Sequence, residues 1–473
     1  MLKFGTDGVR GLANAELTPE LAMALGRAAA RVLGGDHVAV GRDTRRSGPL
    51  LEAALAAGLA SEGVDVTLLG VVPTPEVAWW SAAHTAPAAM VSASHNPFGD
   101  NGIKLFAPGG RKLTDEVEGR LEAELARLTV GAAAVAGAAA PAGAPDPAAG
   151  RAVPTGEGVG RVVAATGADD GYAAAVVASL AGRRLAGLTA VVDCANGSAS
   201  AVAPGVLRDL GLDVVVVHDR PDGSNINDGC GSTHTGDLAR AVVERGADLG
   251  VAFDGDADRV LLVDAAGELV DGDQIIALCA IDRHERGVLT DDSVVVTVMT
   301  NLGFRLAMEK RGIKVVETRV GDRYVLEALE SGGLSLGGEQ SGHVIFPELA
   351  TTGDGLLTAV QALDVVVRAG RPLADLAADA MTRLPQVLRN VRVAELDPGL
   401  VGRLAPDIAA VEGRLGGEGR VLVRASGTEP LVRVMAEAPT AAEAEAAVDE
   451  LVRAVEALVA AGPAGGPAPP GRS

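Results

Sequence analysis

The sequence predicts an α/β protein made of three related mixed α/β domains and a smaller C-terminal α+β domain. Three stretches share one plan: HVAVGRDTRRSGPLLEAALAAGLASEGVDVTLLG from His37, LTAVVDCANGSASAVAPGVLRDLGLDVVVVHD from Leu188, and SVVVTVMTNLGFRLAMEKRGIKVVETRVG from Ser293. Each reads as a short Val/Ala-rich strand, a polar turn, an amphipathic helix stopped by Gly, and a second Val-rich strand. That is a βαβ unit, which buries both faces of a sheet. The end of the chain breaks the pattern. After LPQVLRNVRVAEL come two alternating strands joined by a tight turn and one long Ala/Glu helix, RVLVRASGTEPLVRVMAEAPTAAEAEAAVDELVRAVEALVAAG, the signature of an α+β unit.

Length agrees, because 473 residues at roughly 150 per domain suggest three or four domains. The expected division is 1–128, 161–268 and 269–380 for the α/β domains and 381–462 for the last. An Ala/Pro/Gly-rich linker insertion is expected at 129–160 and a disordered tail at 463–473, both poor in large apolar side chains. Hydrophobic residues reach 48% and aromatics 2%, so the cores should be aliphatic. The formal charge is −21, with no basic stripe or stacking aromatics to bind nucleic acid. Cys194, Cys230 and Cys279 are far apart and odd in number, which argues against a disulfide framework or thiolate zinc site. The opening MLKFGTDGVRG has no apolar signal-peptide region, and no run is apolar enough to span a membrane. A cytoplasmic protein is expected.

The sharpest chemical signal is FDGDADRVLLVD. A strand-like run delivers Asp254, Asp256 and Asp258 into a turn, and a second strand leads away. Carboxylates at i, i+2 and i+4 repel one another unless a cation joins them, and oxygen-only ligands favour Mg²⁺ over zinc. An EF-hand is excluded, since Arg259 stands where its Gly belongs and Ala265 where its final Glu belongs. An acidic surface turn capped by Arg259 is the plainer alternative. A haloacid-dehalogenase-type phosphatase, with Asp254 as nucleophile and Asp256 as acid, is another, weakened because Asp258 replaces the Thr or Val of that pattern.

Three more loops combine polar groups with glycine. VSASHNPFGDNGIKLF makes either a well-formed turn or a stage for a nucleophile, Ser94. GGEQSGHVIF sets Glu339, Ser341 and His343 between glycines, where Glu and a hydroxyl suit sugar hydroxyls and a solvated turn is the alternative. RASGTEPLVRV places Ser426, Gly427 and Thr428 in a turn beside Arg424 and Arg433. Backbone N–H groups, hydroxyls and guanidinium forks suit a phosphate dianion. Arg10, in GTDGVRG, is a second phosphate contact or a surface charge. There is no Walker A, GxSxG, HExxH or helix-opening GxGxxG pattern.

Taken in order, GTDGVRG, SASHNPFGDNGIKLF, DGDADR, GEQSGH and RASGTEP resemble the α-D-phosphohexomutase superfamily over essentially the whole chain, and GEQSGH resembles its amino-sugar branch. The resemblance implies four domains around a central cleft. It makes Ser94 the phosphoryl carrier and Asp254, Asp256 and Asp258, with an oxygen on Ser94, the ligands of one Mg²⁺. It makes Glu339 and Ser341 the sugar readers and Arg424, Ser426, Gly427 and Thr428, with Arg433 alongside, the distal phosphate site. Arg10, His95, Lys104 and Arg259 would surround the transferring group, with Lys104 and His95 as unranked candidates for general base. The implied reaction interconverts glucosamine 6-phosphate and glucosamine 1-phosphate through a glucosamine 1,6-bisphosphate or similar activator. A mannose or glucose phosphate substrate, a metal-dependent phosphatase and a non-catalytic sugar-phosphate binder are the rivals. Small-molecule sugar phosphates are the expected partners, and a homodimer is allowed.

Overall fold

The computed structural model describes residues 8–137, 154–165, 171–393, 399–425 and 430–461. The chain divides into two compact units, Met1–Met299 with Arg311–Ala380, and Thr300–Lys310 with Met381–Ser473.

The first unit holds three sheets, each carrying one of the repeated βαβ stretches. In the first, His37–Arg42 and Asp65–Val71 pair in parallel and Gly48–Ser61 is the crossover helix. Ala88–Val91 joins them in parallel and Asp100–Ala107 turns back antiparallel to it, with Val9–Leu12 on the far edge. Thr189–Asp193 and Asp213–Val217 repeat the parallel pairing in the second sheet, next to Leu249–Phe253 and the antiparallel Val260–Asp264. The third pairs Ser293–Thr297 with Lys314–Thr318 on one side and Gly337–Gly338 on the other, and Gly337–Gly338 pairs in turn with Val344–Ile345. The cores are aliphatic: Leu25, Leu51, Leu55, Leu59, Val38, Val66 and Ile103 pack the first. Helices Pro19–Leu33 and Gly48–Ser61 meet almost backbone to backbone. A Cβ on Gly58 would stand 2.1 Å from the Met23 carbonyl oxygen, so that contact requires glycine.

Two details differ from the expected bounds, 129–160 for the linker and 161–268 for the second domain. Helix Asp115–Gly137 runs into the linker, because an Ala-rich run has the strongest intrinsic helix preference even without large apolar side chains. Strand Val162–Ala164, just beyond it, pairs in parallel with Asp65–Val71 and so belongs to the first sheet. Residues 138–153 and the tail 463–473 lie outside the described residues.

The second unit is a three-stranded antiparallel sheet, Gln386–Arg392, Leu431–Glu437 and Arg420–Ala425. Val432, Val434, Val448, Leu451 and Val455 pack it against helix Ala441–Ala461. Helix Leu302–Lys310, the crossover of the third βαβ stretch, groups with this unit. Its start is fixed by buried Glu437, which accepts from the Leu302 N–H at 2.8 Å and pairs with Arg420 at 2.7 Å. No helix among the described residues is long and apolar enough to cross a membrane.

Candidate active site

Ser94 sits in the turn between Ala88–Val91 and Asp100–Ala107, buried, with φ 52°. A non-glycine residue in the left-handed region is held there by its surroundings. Its N–H donates to Ser92 Oγ at 2.9 Å, and its carbonyl accepts from Arg45 Nη2 at 2.8 Å and Asn227 Nδ2 at 2.9 Å. Its hydroxyl donates to Asp254 Oδ2 at 2.6 Å.

Asp254 begins the loop between Leu249–Phe253 and Val260–Asp264, both wholly buried strands that run antiparallel. Their register leaves Asp254, Asp256 and Asp258 at one end, each with an oxygen within 4.8 Å of the others. Burial, reinforced by Asp258 and Asp256, pushes the Asp254 carboxyl well above the usual range. Burial works the same way on Asp258, but Lys104, His343 and Arg259 outweigh it and hold that carboxyl well below. Lys104 Nζ donates to Asp256 Oδ2 at 2.8 Å and to Asp258 Oδ2 at 3.1 Å, and Thr74 Oγ1 donates to Asp256 Oδ2 at 2.6 Å. Asp256 Oδ1 and Asp258 Oδ1 are buried with no hydrogen-bond donor among the described residues. Leaving such acceptors unmet in a dry site is costly. Converging hard oxygens with unused lone pairs fit a divalent cation.

His95 Nδ1 lies 3.3 Å from Ser94 Oγ and accepts from Arg259 Nη1 at 3.3 Å. Burial, then the charges of Arg259 and Arg10, hold its pKa down to about 4, so the ring is neutral near pH 7. Arg10 stands on Val9–Leu12 opposite Gly102. Ser94, His95, Lys104, Arg10, Arg259 and the three aspartates are therefore one cluster drawn from two sheets.

The Glu339 loop joins the same neighbourhood. It links Gly337–Gly338 to Val344–Ile345, and the Gly342 carbonyl accepts from the Val260 N–H at 3.1 Å. A Cβ on Gly342 would stand 2.1 Å from the Val260 carbonyl oxygen, which explains a glycine there. His343, 2% exposed, accepts at Nε2 from the Gly353 N–H, leaving Nδ1 to face Asp258 Oδ1 at 3.9 Å. At that distance the contact is electrostatic rather than a hydrogen bond. Glu339 Oε1 accepts from the Gly321 N–H, and Ser341 Oγ is buried with no hydrogen-bond partner among the described residues.

In the second unit Arg424 and Arg433 face each other directly across Arg420–Ala425 and Leu431–Glu437. Burial and the Arg433 charge lower the Arg424 pKa. Like charges directly opposite are unfavourable in a sheet, and an anion would relieve them. Ser426, Gly427 and Thr428 lie outside the described residues.

Sequence reasoning missed Asp43, Arg45, Thr74, Ser92 and Asn227, each of which has a partner distant along the chain. A second convergent group is Asp193, His218 and Cys230. Asp193 accepts from the Ala195 and Gly231 N–H groups and sits 3.1 Å from His218.

Comparison with known proteins agrees with this architecture. Four segments match the phosphoglucomutase/phosphomannomutase domains: 1–130 α/β/α domain I, 170–267 domain II, 271–384 domain III and 388–454 the C-terminal domain. A phosphoglucosamine mutase of Rhodococcus jostii is 52% identical over 463 residues, covering 96% of this chain and 99% of that one. The chain belongs to the phosphoglucomutase/phosphomannomutase family. Another phosphoglucosamine mutase, from Frankia alni, is 53% identical over 472 residues, 97% of this chain and 99% of that one. Among solved structures, a family member from Burkholderia thailandensis superposes with TM-score 0.77 at 26% identity, covering 96% of this chain and 97% of that one. The Aspergillus fumigatus N-acetylphosphoglucosamine mutase, solved with GlcNAc-6P and magnesium, shares the fold at TM-score 0.64 and 21% identity, covering 96% of this chain and 95% of that one.

Proposed function

We propose that this family member interconverts glucosamine 6-phosphate and glucosamine 1-phosphate in the cytoplasm, with Ser94 as phosphoryl carrier. The observation that carries the proposal is the Ser94 hydroxyl, 2.6 Å from Asp254 in a buried triad with unmet carboxylate oxygens. The amino-sugar substrate follows from the full-length relatives named phosphoglucosamine mutase.

The chemistry is two phosphoryl transfers. Ser94, carrying a phosphoryl group, gives it to the free hydroxyl of the sugar phosphate. The sugar O–P bond forms, the P–Oγ bond breaks, and the hydroxyl proton passes to a base, for which His95 and Lys104 are the candidates. The resulting 1,6-bisphosphate reorients, Ser94 Oγ takes back the phosphoryl group from the other position, that sugar O–P bond breaks, and the freed sugar oxygen takes the proton the base had held. Because such transfers run through a loose transition state, positioning and neutralisation of charge do most of the catalysis. Arg10 and Arg259 bring positive charge to the Ser94 turn, as does Lys104 while it holds its proton. Asp254, Asp256 and Asp258 would hold Mg²⁺, which when bound neutralises charge on the phosphoryl oxygens. Glu339 and Ser341 read sugar hydroxyls, and Arg424 and Arg433, with Ser426, Gly427 and Thr428, take the phosphate that is not being transferred.

The deciding experiment follows glucosamine 1-phosphate and glucose 1-phosphate with Mg²⁺ and a trace of 1,6-bisphosphate, recording sugar 6-phosphate and free phosphate. Preference for the amino sugar without phosphate release is expected, and would place the enzyme in the supply of UDP-N-acetylglucosamine and cell-wall precursors. Preference for glucose would keep the mechanism and overturn the substrate. Free phosphate as main product would replace the mutase with a phosphatase. Sedimentation of the same preparation tests the homodimer.

A further inference from the structure

We infer that Arg45 and Asn227 are positioning residues for the reaction, holding the Ser94 turn in its transfer geometry from two different sheets. The inference rests on Ser94 being the phosphoryl carrier.

The turn's own backbone lacks the partners a ladder would give it. Arg45, buried to 1% exposure, supplies them from one side. Its Nη2 donates to the carbonyls of Ser94 and Asn96, both at 2.8 Å, and its Nη1 to those of Pro97 and Asp100. One guanidinium thus serves four carbonyls, a geometry that its planar fork of donors allows and an ammonium does not. Asp43 aims the fork. It accepts from Arg45 Nε at 2.8 Å and from the Arg45 N–H at 2.9 Å. The same carboxylate accepts from Ser92 Oγ at 2.7 Å, and Ser92 Oγ in turn accepts the Ser94 N–H. Both peptide groups of Ser94 are therefore fixed by one buried network.

Asn227 closes it from the second sheet's side. Its Nδ2 donates to the Ser94 carbonyl at 2.9 Å and the Asn96 carbonyl at 3.2 Å. Its own N–H donates to the Ala195 carbonyl at 2.9 Å, just past the strand Thr189–Asp193. The metal-binding turn presses on the same point. A Cβ on Gly255 would lie 2.6 Å from the Ser94 carbonyl oxygen and 2.8 Å from Asn227 Nδ2. The Ser94 carbonyl is thus where the carrier turn, Asn227 and the aspartate loop are locked in register. The lock holds Ser94 in the left-handed region and its Oγ against Asp254. Freeing it lets the oxygen drift from the line of transfer.

The test uses the full chain and three variants: Asn227→Ala, Asn227→Asp and Arg45→Lys. Each is loaded with ³²P from labelled glucose 1,6-bisphosphate, then chased with sugar phosphate in single turnover, alongside steady-state kinetics and melting temperature. Asn227→Ala should lose kcat by about 10- to 100-fold, the scale of a misplacement near 1 Å, with KM within threefold. Asn227→Asp should lose at least as much, because a carboxylate then meets two carbonyl oxygens. Arg45→Lys should lose more than either, since one ammonium cannot serve four acceptors. If both Asn227 variants keep kcat and the single-turnover rate within twofold, the inference is wrong, whatever their melting temperatures. A variant that loses activity only in proportion to its folded fraction also overturns it. Failure of the underlying reading shows separately, as wild-type chain that takes up no label at Ser94 before any variant is made.

Discussion

Two places in this molecule crowd like charges, and they do so in opposite ways. Asp254, Asp256 and Asp258 are buried, at most 4% exposed, and Lys104 is pinned against two of them. Arg424 and Arg433 face each other on a sheet and are half-buried. The first arrangement suits a cation that stays: its unmet oxygens are shut away from water and its internal cations balance part of the charge. The second suits a dianion that enters and leaves at each turnover, since exchange needs access more than depth. Both gather like charge, and burial distinguishes a resident ion from a visiting one.

The largest break in this picture comes from the proposed carrier, Ser94. Ser94→Ala should lower turnover on the order of 10⁶-fold, the scale seen when a covalent nucleophile is removed, while leaving the chain able to bind sugar phosphate by calorimetry. Substantial residual turnover would mean that the aspartates do the chemistry. The next break is Asp256→Asn. Turnover should fall further than the roughly 10- to 100-fold typical of residues that merely support a metal ligand. Mg²⁺ at a hundred times its Kd should stabilise the chelator-stripped wild type by about 2.7 kcal/mol and the variant hardly at all. Equal melting shifts for the two would show that Asp256 is not a ligand of the ion.

The convergence of the three aspartates was legible in the sequence, and the residues that support the Ser94 turn were not. The βαβ stretches were legible because Val-rich runs and amphipathic helices report their own burial. The triad was legible because three carboxylates at alternate positions between two apolar strands are self-evidently in conflict. Arg45 and Asn227 gave no such sign. In GRDTRRSG and SNINDGC they read as ordinary loop residues, because their acceptors lie 49 and 133 positions away along the chain and only folding brings them together. Helix Asp115–Gly137 overran its expected end for a related reason. Local preference for helix in alanine decided it, where packing of large side chains had been the criterion. Helix Leu302–Lys310 kept its predicted βαβ place but groups with the second unit through Glu437, a tertiary preference no local pattern encodes.

The other side of the comparison, the proposed phosphate site, can be sharpened with Arg433→Ala. Losing a charge-assisted hydrogen bond of about 1.5–3 kcal/mol should raise KM by roughly 10- to 100-fold, with kcat changed far less. Without substrate the same change should stabilise the second unit slightly, by a few tenths of a kcal/mol, because a like-charge pair is relieved. A fall in ligand-free stability would show that the guanidiniums are structural, and the contrast with the triad would lose one side.

The smallest effect on turnover is expected from a buried carboxylate that answers its burial in a third way, by holding its proton up to about pH 6. Asp354 caps helix Gly355–Ala369 by accepting from the Leu357 N–H at 2.9 Å, and Tyr172 OH donates to it at 3.0 Å. Burial nevertheless pushes its pKa up from 3.8 to about 6. The folded chain therefore binds a proton that the unfolded chain releases between about pH 4 and 6. Stability from this group is full below pH 4, declines across that window and stays lost at pH 7. A gap of that size corresponds to at most about 3 kcal/mol. Asp354→Asn keeps an oxygen for the cap and removes the titration. Melting temperature of wild type minus variant should fall as pH rises from 4 to 6.5 and then level, with turnover at pH 7.5 unchanged. A difference that rises instead would mean the Tyr172 and Leu357 hydrogen bonds hold Asp354 ionised. Depth alone would then not decide how this protein neutralises a buried carboxylate, and the triad's need for a cation would have to be argued from mutual repulsion rather than burial.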